Sequence, residues 1–165
     1  MKKILLALFL VSSVLAFSAR VVKSTELTFK NEIVYVGQEK VPYTGVVESY
    51  DEKGVLTAKA EFKDGKMNGA SKIYYPNGKL ASEASFKDNI QVGVQKDYYE
   101  NGKVKYEFSY KNGQMDGVAK EYYPSGKIKI EEPYKNGQID GVAKAYDESG
   151  KVIQQATFKN GEQVK

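Results

Sequence analysis

No cysteine and no histidine occur in the 165 residues. Their absence removes Ser-His and Cys-His nucleophile pairs, and with them the common transition-metal ligands. It also removes disulfides and any lipid-bearing N-terminal cysteine. A membrane-spanning run is missing too. The longest apolar stretch, residues 4–11, has eight residues against the roughly 20 that a spanning helix needs. From Gly45 onward glycine falls every twelve or so residues, too often for capped helices of about 10 residues. There is no phosphate loop of the G-x(4)-G-K-[ST] type and no kinase motif set. Carboxylates are plentiful, as in Glu131-Glu132, Asp116 and Asp140. No spacing marks out a convergent pair rather than solvated strand charges. The sequence thus names no catalytic residue, metal ligand or cofactor.

What is present is a repeat. One pattern restarts at Gly45, Gly69, Gly93, Gly117 and Gly141, 24 residues apart each time. A fixed period of this length marks a repeat architecture. One column is always tyrosine (Tyr50, Tyr74, Tyr98, Tyr122, Tyr146). Four residues on, another is always glycine (Gly54, Gly78, Gly102, Gly126, Gly150). An aliphatic column follows (Leu56, Leu80, Val104, Ile128, Val152). Then come an aromatic one (Phe62, Phe86, Tyr110, Tyr134, Phe158) and a lysine.

The glycines punctuate hairpins of two kinds. Tyr-Pro-Asn-Gly-Lys (75–79) and Tyr-Pro-Ser-Gly-Lys (123–127) suit a type I turn with proline, closed by a left-handed glycine and a bulge. Asn-Gly at 112–113 and 136–137 suits a two-residue type I′ turn. Between turns, Ile128, Ile130, Glu132 and Tyr134 alternate with more polar residues, as Val104, Tyr106, Phe108 and Tyr110 do. This period of two predicts strands with one buried face. Pairing Tyr123 with Lys127 sets Tyr122 opposite Ile128 on that face. The expected fold is all-β: an elongated, twisted antiparallel meander of five 24-residue hairpin repeats, about twelve strands. The repeats run 45–68, 69–92, 93–116, 117–140 and 141–165, behind an N-terminal β cap at 20–44. Ile139 and Val142 both look buried yet have opposite parity. Either Gly141 sits in a bulge or residues 136–141 form a loop.

The pattern G-x(4)-Y-Y-x-N-G-K-φ-x-x-E-x-x-Y-K-N-G, with φ aliphatic, resembles the bacterial variant of the MORN repeat, as found in the YwqK antitoxin family. The resemblance covers residues 25–165. It implies an open sheet of hairpins used as an interaction surface, with no shared catalytic residues to carry over. It also raises phospholipid binding, proposed for MORN-type proteins, and a kinase association for which this chain has no catalytic domain.

The N-terminus reads as a secretory signal peptide over residues 1–19: Lys2-Lys3, the apolar core, then small residues, with cleavage after Ala16, Ser18 or Ala19. Export to the periplasm, the cell surface or the medium is therefore expected. Losing Lys2 and Lys3 from 25 basic residues leaves 23 against 21 acidic ones. The charges are interleaved, without the basic stripe that nucleic-acid binders carry. In the cap, Glu26–Lys30 and Ile33–Val36 flank Asn31-Glu32 as a hairpin. Residues 37–40 form a turn, and Pro42 suits an edge strand.

Two rows are candidate interaction surfaces. Adjacent strand residues face opposite ways. Tyr74, Tyr98 and Tyr122 are then core, and Tyr75, Tyr99 and Tyr123 form an exposed aromatic row, unless those rings cover the hairpin turns. Lys72, Lys96, Lys120 and Lys144 form a basic ladder for acidic ligands, unless they pair across strands with Glu83, Glu107 and Glu131. The sequence thus points to an exported, non-enzymatic scaffold for a protein or cell-surface partner of unspecified identity. Alternatives are an antitoxin or immunity protein that sequesters a toxin, and a peripheral binder of anionic phospholipid. Oligomeric state is not specified.

Overall fold

The computed structural model describes residues 20–164, and the signal peptide expected at 1–19 lies outside them. The chain begins with a short strand, β1 (Val21–Lys23), a 3-10 turn (Ser24–Glu26) and a hairpin of β2 (Leu27–Lys30) and β3 (Ile33–Val36). The repeats follow. The first two contribute β4 (Gly45–Tyr50), β5 (Leu56–Lys63), β6 (Lys66–Tyr74) and β7 (Leu80–Lys87). The third supplies β8 (Ile90–Tyr98), β9 (Val104–Lys111) and the two-residue β10 (Gln114–Met115). The fourth and fifth supply β11 (Gly117–Tyr122), β12 (Ile128–Lys135), β13 (Gln138–Ile139), β14 (Gly141–Tyr146), β15 (Val152–Lys159) and β16 (Glu162–Val164).

Apart from the β2–β3 hairpin, these strands form one 14-stranded sheet in the order β1-β4-β5-β6-β7-β8-β9-β11-β12-β14-β15-β16. The short β10 and β13 pair with β9 and β12. From β4 onward every connection is a hairpin to a sequence neighbour, so the expected all-β meander is what forms.

Turn chemistry fixes the register. Asn112-Gly113 (φ 51°, 78°) and Asn136-Gly137 (φ 51°, 82°) have the paired positive φ values of type I′ turns. At the other strand ends the amide of Gly126 donates to the Tyr123 carbonyl, and that of Tyr123 to the Lys127 carbonyl, both at 2.8 Å. Gly54, Gly78, Gly102, Gly126 and Gly150 all hold φ between 78° and 91° there. Tyr122 lies opposite Ile128 as the sequence suggests.

Bulges modify the simple alternation. Between Tyr134↔Ile139 and Glu131↔Lys144, β12 advances three residues while the facing chain advances five. Gly141 sits in this bulge at φ 132°, which resolves the parity conflict in favour of a bulge. Val142 is not buried as expected; it is 44% exposed. A second register shift precedes each tyrosine of the invariant column, as at Glu121/Tyr122. It turns Tyr122 to the face of Lys120 and Glu131 rather than that of Ile130 and Glu132.

The expected single buried face does not form. Along β12 the pattern is half-buried at every position until Lys135, and β9 is the same. Tyr74, Tyr98 and Tyr122 are half-buried rather than core. A one-layer sheet offers neither face a partner, so alternation sorts side chains without hiding either set. The buried core sits instead where the cap meets the first repeat: Val22, Val34, Val36, Tyr43 and Val47, with Ala119 of β11 buried apart from it. Tyr43, 2% exposed, places its hydroxyl 2.5 and 2.8 Å from the carbonyls of Arg20 and Val46, which share its one proton. Burial pushes its pKa up. Residues 41–44, expected to include an edge strand at Pro42, adopt none. The edge is made by β1, which pairs parallel with β4.

Candidate interaction faces

Successive repeats are tied together at both ends of the strands. At the type I′ end, the amide of Gly113 donates to the Gln91 carbonyl (3.0 Å) and that of Gly137 to the Met115 carbonyl (2.8 Å). At the other end, tyrosine makes the tie. Tyr75 donates its hydroxyl to the carbonyl of Tyr98. Tyr99 donates to Tyr122, and Tyr123 to Tyr146, each at 2.7 Å. These rings are half-buried, not an exposed strip. The second tyrosine of each pair thus spans its own turn and the next repeat, and lysine ammoniums lie near two of the rings. Lys105 Nζ is 5.7 Å from the Tyr99 ring centroid and Lys129 Nζ is 6.0 Å from that of Tyr123.

A third set of ties was not singled out from the sequence. Lys79, Lys103 and Lys127 donate Nζ to the carbonyls of Glu100 (2.7 Å), Ser125 (2.7 Å) and Glu148 (2.5 Å) in the following turn. The signal was available, since these are the lysines directly after the turn glycines.

The Lys72, Lys96, Lys120 and Lys144 ladder is one component of a mixed row. Directly opposed residues run across the sheet as Glu48, Lys59, Lys72, Glu83, Lys96, Glu107, Lys120, Glu131, Lys144 and Gln155. Charges alternate from Lys72 to Lys144. Lys96 Nζ is 3.6 Å from a Glu107 oxygen, and Lys120 Nζ is 4.0 Å from one of Glu131. Such half-exposed pairs are each worth about 0–1 kcal/mol. Their main effect is to keep the row near neutrality.

The bulged tyrosines complete this face. Tyr98 donates to Glu83 (2.6 Å), Tyr122 to Glu107 (2.7 Å) and Tyr146 to Glu131 (2.8 Å), each reaching back 15 residues. Burial, and then the hydrogen bond to Glu83, pushes the pKa of Tyr98 up to about 12. That of Tyr122 is raised further by burial and Glu107. Beside the charged row run Val94, Val118 and Val142, exposed at 48%, 44% and 44%.

The opposite face carries the small residues and the aromatic column. A shallow cleft of about 190 Å³ there is lined by Ile130, Glu132, Ala143, Ala145, Ala156 and Phe158, among others. It gathers no set of acid, base and nucleophile.

The repeat geometry coincides with a known family model. The MORN repeat variant matches residues 43–64, 67–88, 91–112, 115–136 and 139–160. The chain belongs to the MORN repeat variant family. Five consecutive MORN repeats therefore account for the meander, each match beginning two residues before the glycine used above to mark the repeat. MORN repeats are a non-catalytic repeat type that binds proteins or membranes in general. Among the described residues, no helix is long and apolar enough to cross a membrane. No curated protein matches the chain. Among solved structures, the chain is similar to one titled "Crystal structure of GtfA/B complex bound to UDP and GlcNAc", at 14% identity and a TM-score of 0.28. The match covers 82% of this chain and 24% of that one, so this MORN chain spans about a quarter of that protein's length.

Proposed function

We propose that this MORN protein is an exported, non-enzymatic scaffold that binds a protein or cell-surface partner through the charged face of its sheet. The observation that carries the reading is the open face itself. A 14-stranded sheet leaves its alternating Lys–Glu row and the adjoining Val94, Val118 and Val142 half-exposed or exposed, with no layer among the described residues covering them. A row of alternating charge at strand spacing favours a partner with complementary alternation over a uniformly anionic surface, because each lysine already faces glutamate. Export is supported by the residues of the N-terminal segment, with Lys2-Lys3, an eight-residue apolar core and small residues before Arg20.

Protease shaving of intact producing cells, with blotting for residues 20–165, tests the exported part. The reading expects a chain that starts after Ala16, Ser18 or Ala19 and is digested from outside or once an outer barrier is opened. A full-length chain starting at Met1 and confined to the cytoplasm overturns it. A turnover abolished by one carboxylate substitution overturns the non-enzymatic part.

A further inference from the structure

The charged row has one break, and the intact repeats say what is missing from it. For Tyr98, Tyr122 and Tyr146, the position 15 residues back is Glu83, Glu107 and Glu131, and each accepts that tyrosine's hydroxyl proton. For Tyr74 the same position is Lys59. Among the described residues Tyr74 makes no such hydrogen bond to a carboxylate. Lys59 also lies directly opposite Lys72, a like-charged pair where the rest of the row alternates from Lys72 on. Like charges directly opposed on neighbouring strands are unfavourable. Lys59, Lys72 and Tyr74, with Glu61 and Ala70, line a cleft of about 170 Å³ at this point.

We propose that this cleft is a binding site for a carboxylate, supplied by a glutamate or aspartate side chain of a protein partner. The incoming group would stand where the glutamate stands in the later repeats, accepting from the Tyr74 hydroxyl and the Lys72 ammonium. Three copies in the same chain show that tyrosine at this position is satisfied by a carboxylate. In each the lysine lies directly opposite that glutamate on the neighbouring strand, although the ion pairs of Lys96 and Lys120 run to the next glutamate along, Glu107 and Glu131. The nearby acidic groups leave the vacancy open. Glu61 accepts a hydrogen bond from the Ala70 amide at 3.2 Å. Glu48 pairs with Lys59 at 3.3 Å from the far side. Glu83, opposite Lys72, is engaged by Tyr98. The proposal deepens the scaffold reading, and rests on it only for the claim that the carboxylate belongs to a protein.

Heteronuclear NMR titration of residues 20–165 with glutarate, a hexaglutamate peptide and inorganic phosphate tests the site without needing the natural partner. Amides of 58–60 and 70–74 are expected to shift with glutarate and, more tightly, with hexaglutamate. Lys59→Glu restores the carboxylate of the other repeats and is expected to weaken hexaglutamate binding at least about tenfold. Tyr74→Phe is expected to weaken it with the fold intact. Glu107→Lys recreates the vacancy beneath Tyr122 and is expected to add a second set of shifts there. Shifts scattered over all lysines, unchanged binding by Lys59→Glu and Tyr74→Phe, or phosphate bound more tightly than glutarate would overturn the proposal. Local binding of glutarate without any partner in cells would leave the site standing and count against the scaffold reading alone.

Discussion

The hydroxyl of Tyr99 donates to the backbone carbonyl of Tyr122, 23 residues ahead, at 2.7 Å. Tyr123 repeats the bond to Tyr146. Each is a tie between consecutive repeats that backbone pairing does not itself provide. Tyr99→Phe keeps the ring and removes the tie, leaving a carbonyl short of a partner. A loss of about 1 kcal/mol is expected for each substitution. The two sites are one repeat apart, so the double variant is expected to lose close to the sum. Urea unfolding followed by far-UV circular dichroism measures this. Unchanged midpoints in both variants would show that the hydroxyls do no structural work.

Glycine at the inter-repeat bulge is under a different constraint from glycine at the turn. A Cβ built on Gly141 would meet Pro133 Cγ at 2.7 Å, and the φ of 132° lies outside what L side chains readily adopt. Gly102, at φ 83°, meets nothing within 4 Å. Gly102→Ala is expected to cost about 1 kcal/mol of backbone strain. Gly141→Ala is expected to cost clearly more, about 3 kcal/mol, because strain and contact add. Thermal unfolding of the pair checks the order, and equal losses would contradict the bulge geometry.

Alkaline stability follows from the tyrosine–glutamate bonds. Tyr98 is raised from 10.0 to about 12, and Tyr122 is raised too. Below pH 10 both folded and unfolded chains keep these phenols protonated. Between pH 10 and about 12 the unfolded chain ionises while the fold resists, so stability falls through that window. Tyr98→Phe and Tyr122→Phe are expected to flatten the fall. Unfolding midpoints at pH 9, 10.5 and 11.5 supply the test.

Much of the fold was legible in the sequence. Asn112-Gly113, Asn136-Gly137 and the turn glycines specify φ > 0 by themselves, so hairpin positions and the Tyr122–Ile128 pairing follow from residue type. Coverage of a face is another matter. Alternation along Ile128, Ile130, Glu132 and Tyr134 says which side chains travel together, not whether a second layer meets them, and among the described residues none does. Nor does parity survive a bulge: the shift at Glu121/Tyr122 carries Tyr122 to the charged face. The second tyrosine of each pair was visible as a row, but its hydroxyl partner lies in the next repeat. So do the partners of Lys79, Lys103 and Lys127, and such partners emerge only when strands are laid side by side. The parallel pairing of β1 with β4 left no local signal.

Contacts between neighbouring hairpins dominate, so the protein should shorten without collapsing. Deleting residues 138–165 removes β13 to β16 and leaves the buried core of Val22, Val34, Val36, Tyr43 and Val47 untouched. The remaining chain is expected to keep its β-sheet signal per residue, with a lower unfolding midpoint. Loss of all β-structure would contradict nearest-neighbour stabilisation.

The charged face, on the function proposed above, meets a protein partner. Placing a photo-reactive phenylalanine analogue at Lys96 or Lys120, and on the opposite face at Ala145, tests it directly in producing cells. A discrete cross-linked species is expected from the Lys96 and Lys120 positions and none, or much less, from Ala145. Cross-links from Ala145 alone, or from no position at all, would contradict it.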